Sequence, residues 1–379
     1  MSESGVNSKW EHLGLTRWPF YKTVDHSSAP IWAGRQQAKQ LTDRFMWEWV
    51  RQDRNYIHLV WGDLGAGKSH TLSYIRHHFV QHPDLRVLPV RAVMPKEFSG
   101  FLEVYQAIMS AIDLDEIAEL FYHLYRALGT KKAAVRDAFP YIPDAVEALL
   151  QLRSDLDSKK RWAETWLRGV RLTRSQMDSL GISRGVKDTN DCVAMLTGVV
   201  AIVAASQKYD RILVMLDECQ RTWEAKRSIT QKIDVGLQNW HDETSNRLTL
   251  VLAYKSGQMR DFLNLLNPDV KDRVTLPVIS LPLLDSQDAL EFVRSVLQQC
   301  SLQPQAPSWQ PFGEDMVKSV VRHLTAGHGT TPRHLMTAFH AILTQYDRQI
   351  VSEGQCNLTL QEALAIADDA LSDPFGEDE

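Results

Sequence analysis

The residues Gly62-Asp63-Leu64-Gly65-Ala66-Gly67-Lys68-Ser69 carry the spacing G-x-x-x-x-G-K-[ST]. Glycines let backbone N–H groups turn inward around an anion, where a Cβ would block the approach. Lys68 would supply a point charge to the β- and γ-phosphates of a nucleotide, and the Ser69 hydroxyl is a hard oxygen ligand for Mg²⁺. A helix starting here adds the positive end of its dipole. The stretch from Gly62 through His70 is therefore the expected nucleotide-binding segment, with ATP and Mg²⁺ as cofactors. An accidental glycine-rich turn is the alternative, and the flanking pattern argues against it: an apolar strand-like run precedes the loop and a helical pattern follows it.

A second constellation is Asp217-Glu218, at the end of the apolar run 212–216. An unbroken apolar run this short fits a central strand buried on both faces. In a parallel nucleotide-binding sheet the C-terminal end of such a strand shares an edge with the phosphate loop. Asp217 is then expected in the Mg²⁺ shell. Glu218 is expected to take a proton from the attacking water, or to orient it. An Asp-Glu pair also often does no more than open a solvated loop; the phosphate loop upstream favours the chemical reading. Neither His77-His78 nor His323 with His328 has convincing metal spacing, so Zn²⁺ is not expected.

These residues need an α/β sheet to position them. Residues 56–61 read as a buried strand and 71–76 open a helix. Ala38, Leu41, Phe45, Met46 and Trp49 recur on one face of a helix over 37–52. Residues 85–92 read as the second strand, and Pro89 restricts it to an edge or a bulge. Strands over 211–216, 248–253 and near 274–279 complete five, with helices over 98–112 and 228–240 between them. After Pro282 the periodicity is helical, in about four segments. The stretch 114–188 exceeds a minimal β–α alternation. Leu120, Phe121, Leu124, Tyr125 and Leu128 form one stripe there, Pro140 and Pro143 break it, and it reads as a helical insertion. Trp18-Pro19-Phe20 and Ala29-Pro30-Ile31-Trp32 suggest an extended arm packing its aromatics on a neighbouring surface. The expected organisation is an arm and first helix over 1–55, an α/β nucleotide-binding domain over 56–280, a helical lid over 281–371 and an acidic, disordered tail over 372–379.

The formal net charge of −5 argues against a general basic coat for nucleic acid and leaves local basic patches open. No stretch resembles an apolar membrane span, and Met1 to Gly5 lacks the basic-then-apolar layout of a signal peptide. Cys192, Cys219, Cys300 and Cys356 form no C-x-x-C pair and read as reduced thiols. A cytoplasmic protein without a membrane partner is expected.

The order of these elements resembles the AAA+ ATPases, over roughly 30 to 345. That resemblance implies a five-stranded parallel sheet followed by a helical lid, with ATP between them. Gly34-Arg35 and residues 87–109 are similar to the origin-recognition and archaeal-initiator clade. Gly329-Thr330-Thr331-Pro332-Arg333-His334-Leu335 resembles that clade's sensor 2, which implies that Arg333 is aimed at the γ-phosphate; a surface Arg in a helix's first turn is the alternative. The resemblance puts sensor 1 at Ser256, although the usual Asn or Thr is missing. It puts an arginine finger, reaching a neighbour's ATP, at Arg273, with Lys271 second. An ion pair of Arg273 with Asp269 or Asp272 is the alternative there. Residues 162–186 are similar, more faintly, to ATP-binding proteins of BREX-type phage-defence islands. About 35 residues follow the helix at 336–343, fewer than an initiator's winged-helix DNA-binding domain, so replication initiation is not the expectation, and Tn7-type transposition regulators, which bind DNA with the AAA+ module alone, remain possible relatives.

Lys159, Lys160, Arg161, Arg168, Arg171, Arg174, Arg184 and Lys187 form a local basic excess, with Trp162 and Trp166 interleaved. It reads either as a phosphate-binding surface or as a solvated basic helix whose tryptophans pack on the domain core. Arg221, Lys226, Arg227 and Lys232 form a second basic candidate. Two functions stay open: an ATPase that forms a ring or filament and remodels DNA or a partner protein, or a nucleotide switch that recruits an effector nuclease or transposase with little hydrolysis. A sensor of phage components is a weaker third. Self-association, duplex DNA and an effector protein are the expected partners.

Overall fold

The computed structural model describes residues 9–21, 32–128, 143–255, 267–304 and 309–372. Ser256, Pro140 and the acidic tail beyond Ser372 lie outside the described residues. In chain order the elements are α1 (Gln36–Arg51), β1 (Tyr56–Gly62), α2 (Lys68–Gln81), β2 (Val87–Val93), α3 (Leu102–Ala111), α4 (Leu114–Ala127), α5 (Pro143–Gln151), α6 (Asp157–Leu167), α7 (Arg174–Leu180) and α8 (Thr189–Ala205). Then come β3 (Arg211–Asp217), the short α9 (Arg221–Glu224), α10 (Arg227–Glu243), β4 (Leu248–Lys255), the short α11 (Pro268–Lys271) and β5 (Ile279–Leu281). Four helices follow: α12 (Ser286–Cys300), α13 (Glu314–Leu324), α14 (Pro332–Glu353) and α15 (Leu360–Ser372).

The strands form one five-stranded sheet in the order β2-β3-β4-β1-β5. β2 pairs parallel with β3, and β3 parallel with β4. Pro89 lies opposite Leu213 on β2. As an edge strand, β2 can carry a residue with no N–H to give to a ladder. All seven residues of β3 are buried, as its unbroken apolar run requires. Regular pairing of β5 starts later than the sequence pattern suggests. Val274 makes only an isolated parallel bridge to Ile57, and Pro277, which has no N–H, precedes the strand. Leu128, expected on the α4 stripe, falls just past the helix and is exposed.

Packing divides the chain into two units. The first comprises Met1–Leu41, Gly62–Tyr74 and Ser280–Glu379. Its core joins the arm residues Leu15, Trp18 and Phe20 to α12–α15. Phe20 stacks on Phe339 with ring centroids 5.4 Å apart. The second unit comprises Thr42–Trp61 and Ile75–Ile279. Its core holds strand residues together with α3, α4, α8 and α10, and it also takes in Ala163, Trp166 and Leu167 of the insertion. The insertion is thus built into this core rather than appended to it. Arg211, at the start of β3, is 3 % exposed and donates to the carbonyls of Gln52 and Arg54, each at 2.8 Å, and of Asn246 and Leu248, each at 3.2 Å. Burial pushes its pKa down to about 10, which leaves it cationic at neutral pH. Among the described residues no helix is long and apolar enough to cross a membrane.

Candidate functional site

In the first unit, β1 ends on Gly62 and α2 begins on Lys68, so the phosphate loop connects a strand end to a helix N-terminus. Two glycines have a steric reason. A Cβ on Gly62 would sit 2.7 Å from the Leu281 carbonyl oxygen of β5. Gly65 has φ +73°, and its Cβ would sit 2.9 Å from Arg333 Cβ and 3.1 Å from Thr331 Oγ1. The N–H of Ala66 donates to Asp63 O at 3.1 Å and closes the turn. Lys68 is buried, and its Nζ donates to Gly62 O at 2.9 Å and Asp63 O at 2.8 Å. The loop's one side-chain cation is therefore held against the loop's own backbone. Ser69 and His70, in the first turn of α2, are half-buried, and Leu64 at the loop's crest is exposed.

Arg35 backs this loop. Its guanidinium donates to Ala66 O and to Pro282 O, joining the phosphate loop to the segment just after β5. Burial lowers its pKa to about 10, and the Asp288 carboxylate opposes that shift, so the side chain is cationic at neutral pH. On α14, the N-cap Thr331 accepts from His334 N at 3.1 Å. The N–H of Arg333 donates to Gly65 O at 3.4 Å, and its side chain is exposed. The first unit thus brings together Gly62–Ser69, Arg35, Thr331 and Arg333. Arg35 as a clamp was not readable as such; its only sequence signal was the Gly34-Arg35 pair.

In the second unit, Asp217 is the last residue of β3 and is 2 % exposed. Its Oδ2 accepts from Arg91 Nη2 at 2.9 Å, and its Oδ1 from the Glu218 N–H at 3.0 Å. Arg91 comes from β2, where Val93 lies opposite Asp217. Arg91 stands two residues earlier on the same face. Glu218 has φ +60°, a left-handed conformation that costs a non-glycine residue about 1 kcal/mol or more. Its Oε2 accepts from Gln220 Nε2 at 2.6 Å and lies 4.0 Å from Arg221 Nε. Neither Arg91 nor Gln220 was singled out from sequence, because neither belongs to a recognised spacing.

Arg273 donates through Nε and Nη2 to the two carboxylate oxygens of Asp242 on α10, at 2.8 and 2.5 Å. These hydrogen bonds hold the Asp242 carboxyl below the usual carboxylate range, with a smaller contribution from His241. Asp242, a tertiary partner, was not among the acids considered for Arg273 from sequence. Lys271 ends α11 and is exposed. In the insertion, Trp166 is buried and donates to Arg184 O at 2.9 Å. Lys160 pairs with Asp115 at 2.9 Å, Arg174 with Asp178 at 3.1 Å and Arg184 with Asp191 at 3.0 Å. Arg168 donates to Met109 O at 3.2 Å. Much of the basic excess is therefore engaged within the unit itself. Arg221, of the second basic candidate, donates to Met94 O.

Each unit carries a group of the chemistry Mg²⁺ takes. Ser69 offers a hydroxyl and Asp217 a carboxylate, both hard oxygens. Among the described residues no group of three or more His, Cys, Asp or Glu could hold a metal alone.

No protein-family model matches the chain, and no curated protein matches it in sequence. Solved structures do match. The Aeropyrum pernix ORC2 protein in ADPNP-ADP complexes aligns at 12 % identity with TM-score 0.54, over 89 % of this chain and 68 % of that one. The Aeropyrum pernix ORC1 protein in complex with DNA aligns at 13 % identity and TM-score 0.50, over 96 % of this chain and 69 % of that one. Drosophila ORC bound to DNA aligns at 10 % identity and TM-score 0.50, over 98 % and 68 %. At such identities the likeness is one of fold. The fold is the α/β P-loop AAA+ fold.

Proposed function

We propose that this chain is a Mg²⁺-dependent ATPase that assembles with copies of itself on ATP and acts as a switch or remodeller on DNA or a partner protein. The observation that carries this reading is the loop Gly62–Ser69, set between a strand end and a helix N-terminus with a buried lysine. Backbone N–H groups, helix dipole and Lys68 all favour a polyphosphate there. Ser69 and Asp217 would supply oxygen ligands to Mg²⁺, which would neutralise phosphate charge when bound. Glu218 accepts the proton of the attacking water, and the products are ADP and phosphate. The backbone strain at Glu218 supports that role, since such outliers persist where function requires them. Arg333 contacts the γ-phosphate, with Ser256 as the polar sensor, and Arg273 reaches the nucleotide of a neighbouring copy. The AAA+ neighbours solved with ADPNP and ADP or with DNA support the nucleotide and DNA parts by analogy of fold. The setting, a mobile element or phage-defence system, rests on sequence resemblance alone, of 162–186 to defence-island proteins and of the AAA+ layout to Tn7-type regulators.

The test pairs two variants. Lys68→Ala should lose labelled-ATP binding by roughly ten- to a hundredfold, the effect of removing a charge-assisted contact. Glu218→Gln should keep binding, lose hydrolysis and retain the ATP-bound oligomer. Unchanged affinity in the first variant, or parental turnover in the second, would sink the reading.

A further inference from the structure

The carboxylate proposed to activate water is not left to choose its own orientation. After β3 the chain takes a left-handed step at Glu218 and then turns into α9, with the Arg221 N–H donating to Glu218 O at 3.1 Å. This turn sets the Glu218 and Gln220 side chains against each other, with Gln220 Nε2 2.6 Å from Glu218 Oε2. The other end of the Gln220 amide is also occupied: its Oε1 accepts from the backbone N–H of Lys255, the last residue of β4, at 3.0 Å. The chemistry of the two partners fixes which way the amide faces. A backbone N–H can only donate, so it must meet the oxygen; an ionised carboxylate can only accept, so it must meet the NH₂ group. A glutamine is thus the bridge that this pair of partners requires. The Cys219 N–H donates to Ala253 O at 2.9 Å, and Trp223 stacks on Tyr254 with centroids 4.9 Å apart. The 219–223 turn is therefore fastened to the end of β4 at several points.

We propose that Gln220 is a positioning residue for Glu218: its side-chain amide ties the carboxylate to the backbone at the end of β4, so that this strand sets where the proton acceptor stands. The inference rests on the reading of Glu218 as the group that activates water. Proton abstraction needs the acceptor held in one geometry, and a carboxylate on two rotatable bonds beyond Cβ loses rate when it is freed. The amide acts only through Glu218, so its removal should change turnover and not ATP binding.

The experiment uses the full chain with Gln220→Ala, Gln220→Glu, Glu218→Gln and the double variant Glu218→Gln/Gln220→Ala. Gln220→Ala should lower kcat about tenfold, the size expected for one charge-assisted hydrogen bond, with KM for ATP within about twofold of the parent. Gln220→Glu still accepts from Lys255 but presents a carboxylate to a carboxylate, and should lose more. In the Glu218→Gln background, Gln220→Ala should cost nothing further, because residues acting as a unit are non-additive. Amide hydrogen exchange at Lys255, followed without nucleotide, should accelerate in Gln220→Ala and stay unchanged in Glu218→Gln. Parental kcat in Gln220→Ala, an equal fall in both backgrounds, or unchanged Lys255 exchange would each overturn the proposal. If Glu218→Gln is inactive while the Gln220 variants are normal, the positioning role alone fails. If Glu218→Gln turns over at the parental rate, the ATPase reading of Glu218 fails and this inference with it.

Discussion

His58 lies on β1, four residues before the phosphate loop, and is 0 % exposed. Phe45, Trp49 and Tyr56 surround its ring, with centroids 4.0, 5.3 and 5.4 Å away. Among the described residues neither ring nitrogen has a hydrogen-bond partner. Burial first, then the positive charges of Arg54 and Arg44, lowers its pKa from 6.5 to about 3. An imidazole that stays neutral when folded and protonates when unfolded makes the unfolded chain bind more protons between those two values. Stability from this group is therefore complete above about pH 6.5, falls as the pH drops towards 3, and changes no further below that. Between pH 7 and pH 5 the loss from His58 alone is about 2 kcal/mol. With an unfolding entropy of about 0.8 kcal/mol/K for a chain of 379 residues, that is about 2–3 °C in the melting temperature. Other groups titrate too, so the test is a difference. His58→Phe keeps an aromatic ring and removes the titration, and any fixed packing cost cancels in the slope. Melting temperatures or urea midpoints of parent and variant should converge, or cross in favour of the variant, as the pH falls from 7 to 5. Parallel pH curves for the two proteins would refute the argument, and with it the claim that His58 is buried in the neutral form.

Three further substitutions test the clasp around the loop and the start of β3. Gly65→Ala forces a Cβ into a left-handed residue and against Arg333 and Thr331; ATP affinity should fall about tenfold, from a strain on the order of 1–2 kcal/mol, as read by labelled-nucleotide binding. Arg35→Ala removes the link between Ala66 O and Pro282 O, and ATP affinity should fall about tenfold or more, with Arg35→Lys recovering only part of it because one ammonium is a poor substitute for a fork of donors. Arg211→Met leaves the carbonyls of Gln52, Arg54, Asn246 and Leu248 without their shared donor, and should cost about 2–4 kcal/mol in urea unfolding, whereas a loss below about 0.5 kcal/mol would mean that water replaces the guanidinium at no cost.

What could be read along the chain was what depends on near neighbours. The strand–loop–helix around Gly62–Ser69 and the apolar run of β3 follow from local pattern, and Pro89 pointed to an edge because a missing N–H is a property of one residue. Helix α8 escaped that reading for the opposite reason. Its residues from Cys192 to Ala205 are almost all apolar, the exposed Ala201 and Ala205 included, so the sequence has little amphipathic contrast to detect. The partners of the candidate site were illegible for a third reason. Arg91 reaches Asp217 across 126 residues of sequence, and Arg35 reaches Pro282 across 247. No spacing rule links such positions; only the strand order and the helical packing do. Gln220 is the instructive case, since it stands two residues from Glu218 and still went unread. Its proximity to the carboxylate became meaningful only when the fold laid the end of β4 beside it and supplied the Lys255 N–H that orients its amide. A motif in sequence therefore names the groups that could do chemistry, while the sheet decides which side chains restrain them. A variant that reorders those restraints and leaves every motif residue in place is the sharper probe of how this site works.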